Sequence, residues 1–171
     1  MQKAVILVGH GGVPTDCPPE FVAEFKRLEA ASKGKPSAPL AEADRKLRQW
    51  PRTPQTDPYK SGLEAIAASL RQALPGRLVL EAYNEFCAPS LEETLASAAR
   101  RGVKDIVVIT TMYTRGGIHS ETEIPAAVDE FRREHPGVSV RYCWPFDLNA
   151  ISSFLAREIA RAERPISAKK K

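Results

Sequence analysis

The chain has 171 residues, 43% of them hydrophobic and 27% charged, which describes one ordinary globular core and excludes fibrous or disordered classes. No apolar run approaches the roughly 18 residues of a bilayer-spanning helix, and the first eight residues are too short for a secretory leader, so a cytoplasmic protein is expected. Net charge is +4, but Lys169, Lys170 and Lys171 supply three of those charges, and the nearly neutral body makes no electrostatic case for nucleic acid.

Short apolar runs recur along the chain, each followed by a turn and a helix-period pattern. That alternation predicts a parallel sheet with crossover helices, an α/β fold. The first run, 4–8, ends at Gly9-His10-Gly11-Gly12. The stretch that follows, about 13–57, is long for a connection and reads as an elaborated lid or an assembly element. It holds an amphipathic segment, 20–31, with Phe21, Phe25 and Leu28 on one face. A polar break at 32–39, a charged helical stretch at 41–50 and a turn region at 51–58 complete it. Asp57 before Pro58 is an N-cap with proline at the first helical position. Tyr59, Leu63, Ile66, Leu70 and Leu74 then form one apolar stripe, stopped by Pro75-Gly76.

The second run, 78–83, ends at Asn84-Glu85. Ser90-Leu91-Glu92-Glu93 is a capping box opening a helix that ends near Arg101, with Gly102 beyond. The third run, 106–111, leads into Tyr113-Thr114-Arg115-Gly116-Gly117. Ser120-Glu121-Thr122-Glu123 reads as a second capping box, for a helix with stripe Ile124, Val128 and Phe131 that stops at Pro136-Gly137. The fourth run, 138–143, meets Trp144-Pro145. Asp147 is expected to cap a last helix whose Leu148, Ile151, Phe154, Leu155 and Ile159 face the sheet. The whole reads as a single domain over 1–165, with the long insertion, and a basic disordered tail at 166–171.

In an open parallel sheet, ligands bind beyond the carboxyl ends of the strands. Two of the three histidines, His10 and His119, follow the first and third runs, and Glu85 follows the second. Two imidazoles and a carboxylate at one sheet edge suit a borderline divalent metal. Taken singly, each histidine reads more readily as a hydrogen-bonded loop residue than as a ligand, and Glu85 equally as a helix cap; the case rests on their coincidence. His135, at a helix C-terminus, reads as a solvated cation near the dipole. Gly9, Gly11 and Gly12 around His10, and Gly116 and Gly117 before His119, would let a flat ligand approach the strand ends closely. No G-x-G-x-x-G or P-loop pattern is present, so no nucleotide is expected. Cys17, Cys87 and Cys143 show no zinc spacing and suit a reducing compartment. His-Gly-Gly also occurs in esterase oxyanion loops, but there is no G-x-S-x-G, and Cys87 beside Glu85 has no evident base for a nucleophilic role.

Three stretches together, Val5-Ile6-Leu7-Val8-Gly9-His10-Gly11, Tyr83-Asn84-Glu85-Phe86-Cys87-Ala88-Pro89-Ser90-Leu91-Glu92-Glu93, and Gly116-Gly117-Ile118-His119-Ser120-Glu121-Thr122-Glu123-Ile124-Pro125, resemble the short CbiX-type sirohydrochlorin chelatases. These are class II tetrapyrrole chelatases, which insert cobalt, nickel or ferrous iron into a reduced tetrapyrrole without ATP. The resemblance implies a three-layer chelatase-like (flavodoxin-like) domain with a four-stranded parallel sheet and helices on both faces. It implies His10, Glu85 and His119 as metal ligands and catalytic residues. His119 and Glu85 would present the metal, and His10 would share in binding or in removing pyrrole protons. Gly11, Gly12, Arg115, Gly116, Gly117 and Ser90 would meet the macrocycle, with Arg115 and the helix N-termini near Ser90 and Ser120 receiving its carboxylates. Arg115 reads equally as a solvated loop cation.

Gly12 stands where relatives often carry serine, and Arg115 where apolar residues are common. The insertion is longer than in the short relatives and more like that of ferrochelatases. A half-size domain implies a homodimer, with Phe21, Phe25 and Trp50 as interface, lid or own-core residues. Two rival readings are a non-catalytic tetrapyrrole or metal carrier, and a scaffold with a vestigial site.

Overall fold

A computed structural model describes residues 2–164; the tail expected at 166–171 lies outside them. The four apolar runs form β1 (Lys3–Gly9), β2 (Arg77–Tyr83), β3 (Asp105–Thr110) and β4 (Ser139–Tyr142). All neighbours are parallel, in the order β2-β1-β3-β4. Helices α1 (Pro19–Ser32), α2 (Ala38–Arg48) and α3 (Pro58–Ala73) lie between β1 and β2, α4 (Leu91–Arg100) follows β2, α5 (Ile124–Glu134) follows β3, and α6 (Leu148–Ala162) follows β4.

The central strand β1 is apolar from Ala4 onward because both its faces are covered. Ala4, Ile6 and Val8 pack with Leu91, Leu95 and Ala98 of α4 and with Ile124, Val128 and Phe131 of α5. Val5 and Leu7 point the other way, onto Leu63 and Ala67 of α3, beside Val79 and Tyr83. This is the three-layer α/β arrangement expected. Within the α3 stripe Ile66 is exposed and Ala67 is buried in its place.

The expected caps form at three helices. Asp57 accepts the Lys60 N–H at 2.9 Å, Ser90 and Glu93 make a reciprocal capping box, and Asp147 accepts the Ala150 N–H at 2.7 Å. Helix α2 starts earlier than expected, inside the polar break, because Ser37 caps it. Phe25 and Leu47 are the centre of a small separate core, with Phe21, Trp50 and Phe86 packed against it; the insertion's aromatics therefore serve its own packing.

Two expectations are corrected. Ser120 does not open a capping box: it lies inside a π-helical turn, His119–Glu123, that runs directly into α5. Ser120 is buried and its hydroxyl donates to the Met112 carbonyl at 3.0 Å, while the Glu123 carboxylate turns to His119 and Asn84. Nor does the α6 stripe face the sheet. No α6 residue is buried, and Leu148, Phe154, Leu155 and Ile159 are exposed. The edge strand explains part of this. Val140 of β4 is buried in the core and Tyr142 packs against it, while Ser139 and Arg141, on the face that α3 covers further along the sheet, are exposed and polar, so that edge offers a stripe no apolar platform. Among the described residues no helix is long and apolar enough to cross a membrane.

Candidate metal centre

Because β1 connects first to one side, at β2, and the chain then crosses to β3 on the other, the loops after β1 and β3 diverge and leave a crevice at the carboxyl edge. His10 follows β1 and His119 follows β3 across it. Glu85 is brought in by a continuation of the sheet ladder beyond the strands: the Asn84 N–H donates to the Gly9 carbonyl at 2.9 Å and the Glu85 N–H to the His10 carbonyl at 2.8 Å. That approach needs glycine at position 11. Its φ is +98°, and a Cβ there would sit 1.9 Å from the Glu85 carbonyl oxygen.

The three side chains converge. His10 Nε2 and His119 Nε2 are 3.2 Å apart, His10 Nε2 lies 3.9 Å from one Glu85 oxygen and His119 Nε2 3.8 Å from the other. Ligand atoms held about 2.1 Å from one ion at near-tetrahedral angles lie about 3.4 Å from each other. The trio is the group among the described residues with His, Cys, Asp or Glu donors so placed. An ion held by all three would keep one coordination face open, as a site that exchanges its metal requires.

The opposite edges of both rings decide which nitrogen faces a metal. His10 Nδ1 lies 2.9 Å from the Gly11 carbonyl, an acceptor only, so Nδ1 carries the proton and Nε2 keeps its lone pair. His119 Nδ1 lies 2.7 Å from a Glu123 oxygen, and Asn84 Nδ2 donates to the same oxygen at 2.5 Å. Partial burial pushes the Glu123 carboxyl up, but the hydrogen bonds from His119 and Asn84 outweigh that and hold it below the usual carboxylate range. An ionised Glu123 at Nδ1 holds the His119 ring with Nε2 toward the trio, the orienting role of an outer carboxylate at a histidine-bound metal. His119 and Glu123, four apart on this turn, lie on one side toward Asn84.

Neither Glu123 nor Asn84 is among the residues singled out from sequence, and Glu123 is there assigned to a cap. His119 and Glu123 four apart on one helical turn is the signal that points to them. Tyr59, read as core stripe, is also part of the site: it is 39% exposed and its hydroxyl accepts the His10 backbone N–H at 2.6 Å.

The remaining sequence candidates sit differently. Arg115 is exposed and 3.4 Å from Glu121. Ser90 spends its hydroxyl on the α4 cap and lines a separate cleft with Asp44, Arg45 and Glu92. Gly12 flanks Tyr59, and Gly116 and Gly117 are exposed three and two residues before His119. His135 stacks on Phe131 with ring centroids 4.2 Å apart. Cys87 is fully buried and burial pushes its thiol up, the reverse of an activated nucleophile. Beside the trio, a cavity of about 320 Å³ opens between the insertion and the site, lined by Phe25, Leu40, Asp44, Arg48, Glu85 and Glu123 among others.

A family model described as CbiX matches residues 55–161. The sirohydrochlorin cobaltochelatase of Priestia megaterium is 30% identical over 93 residues, a stretch that is 54% of this chain and 30% of that protein. Among solved structures, a CbiX protein of Marinobacter aquaeolei VT8 assigned to cobalamin (vitamin B12) biosynthesis aligns with TM-score 0.53 at 19% identity, over 94% of this chain and 96% of that one. The sirohydrochlorin chelatase SirB of Bacillus subtilis subspecies spizizenii, in complex with cobalt, aligns with TM-score 0.53 at 15% identity, over 94% of this chain and 51% of that one. At those identities the structural likeness is one of fold.

Proposed function

The chain belongs to the CbiX family, and from that premise we propose that it inserts a divalent metal, cobalt, nickel or ferrous iron, into sirohydrochlorin or a related tetrapyrrole without nucleotide. The observation that carries the reading is the trio itself: two imidazole Nε2 atoms 3.2 Å apart with a carboxylate within 4 Å of both, open on one side. In this reading the metal is a substrate. His119, its ring fixed by Glu123, and Glu85 present the ion. His10 shares in binding and takes a pyrrole proton, since its side chain is 41% exposed against 17% for His119 and imidazole accepts protons near neutral pH. Two such protons must leave as the ion enters the ring.

Arg115, weakly paired at the mouth of the Gly116-Gly117 turn, receives a macrocycle carboxylate, and Gly11 and Gly12 let the ring lie against the backbone; Ser90 has a lesser part because its hydroxyl is committed. The working unit is a homodimer. The chain aligns with about half of SirB, and α6 presents apolar residues that none of the described residues buries.

The test follows visible absorption of anaerobic sirohydrochlorin mixed with cobalt, nickel or ferrous ion. The protein should accelerate the change for at least one ion, and His10→Ala or His119→Ala should each lower kcat/KM by about 100-fold or more. No acceleration for any of the three ions overturns the proposal. Tight metal binding without product would replace it with a carrier.

A further inference from the structure

Glu85 sits in a five-residue bend, Tyr83-Asn84-Glu85-Phe86-Cys87, whose backbone is not helix or strand beyond Tyr83. Phe86 in that bend has φ +56°, a left-handed conformation that a bulky side chain adopts only where the surroundings impose it. A bend of this kind, half-buried at the sheet edge, must still satisfy its carbonyls.

Two guanidinium groups from the insertion do so. Arg48, the last residue of α2, donates from Nη1 to the Cys87 carbonyl at 2.9 Å and to that of Tyr83 at 3.4 Å, and from Nη2 to the Asn84 carbonyl at 2.8 Å. Its Nε is held by Asp44 at 2.7 Å. Arg52, four residues on, donates to the Phe86 carbonyl and, at 2.8 Å, to that of Gly12, and is itself paired with buried Asp57. The one remaining carbonyl, that of Glu85, accepts the Cys87 N–H at 2.6 Å. Four of five carbonyls around the acidic ligand thus end on the insertion, and Arg52 also ties the bend to the loop after His10.

We propose that Arg48 and Arg52 are positioning residues for Glu85, so that the insertion works as the mount of the carboxylate ligand and sets metal affinity through it. This rests on the reading of His10, Glu85 and His119 as metal ligands. The planar fork of arginine is needed because each group spans two or three carbonyls at once, which a lysine ammonium does not.

Arg48 is the residue to change, since Arg52 is buried against Asp57 and its loss endangers folding. Cobalt(II) titration of the full chain, read by the visible absorption of the bound ion, gives a Kd and a ligand-field signature together. Arg48→Met is expected to weaken cobalt about tenfold, in the range found for groups that orient metal ligands, and to shift the spectrum toward that of Glu85→Ala. Arg48→Lys should fall between the parent and Arg48→Met. In a Glu85→Ala background Arg48→Met should change Kd by less than twofold, because the carboxylate through which it acts is gone.

An unchanged Kd in Arg48→Met, or an equal loss with and without Glu85, overturns the positioning role while leaving the metal site intact. If Arg48→Met fails to fold, the same cycle run with Arg48→Lys decides by the same criteria. A parent protein that shows no histidine-bound cobalt spectrum overturns the metal reading itself, and this inference with it.

Discussion

Helices α3 and α6 start from the same sequence pattern and end in different environments. Each opens with an aspartate cap, Asp57 or Asp147, and each carries leucine and isoleucine at helical spacing. Helix α3 buries Leu63 and Ala67 against Val5, Leu7 and Val79, whereas α6 buries nothing. An amphipathic stripe therefore states that a helix has an apolar face, and the strand opposite decides whether that face is covered within the chain. Where β1 and β2 meet α3 the face is Val and Leu; at β4 the same face is Ser139 and Arg141. One half of the layer is covered by the chain, and among the described residues the other half is left bare.

The two caps should separate most. Asp57 is 3% exposed and holds both the Lys60 N–H and the Arg52 guanidinium. Asp57→Ala leaves a buried cation unpaired and is expected to cost about 3–5 kcal/mol, read as ΔG from urea denaturation. Asp147 is exposed and caps only, so Asp147→Ala should cost about 1 kcal/mol. Equal losses would mean that Arg52 finds water when Asp57 is removed, and that the insertion is not closed around it.

The stripes come next. Leu63→Ala opens a cavity beside β1, and large-to-small changes in such cores cost about 2–5 kcal/mol; a midpoint shift worth less than about 1 kcal/mol would show α3 to be as loosely seated as α6.

The contrast also explains what a reader of the sequence can and cannot find. Strands β1 and β3 are legible because a strand covered on both faces is apolar nearly throughout, so they stand out without periodicity. His10, Glu85 and His119 can be picked out because parallel topology sends every strand end to one edge. The second capping box misleads because the pattern at Ser120 and Glu123 is local, while the partners that win are distant: Asn84 is 39 residues from Glu123. Arg48 and Arg52 leave no trace in any motif, since their partners are backbone carbonyls, which every residue has. The α6 stripe misleads in a third way, by being correct about the helix and silent about its neighbour.

The smallest expected change in the isolated fold is at that last stripe, and it is the most informative about assembly. Phe154 is 47% exposed, so Phe154→Ser should alter stability by no more than about 0.5 kcal/mol at low protein concentration, where a surface position has little to lose. If a second copy covers α6, folding and association are linked, and the parent's thermal midpoint rises with concentration. Phe154→Ser should flatten that rise and return a monomer mass by sedimentation where the parent gives a dimer. Leu63→Ala, by contrast, should lower the midpoint equally at every concentration at which the dimer persists. A parent midpoint independent of concentration, with monomer mass throughout, would mean that α6 stays bare in the working protein, and the half-finished layer would then have to be explained without a second copy.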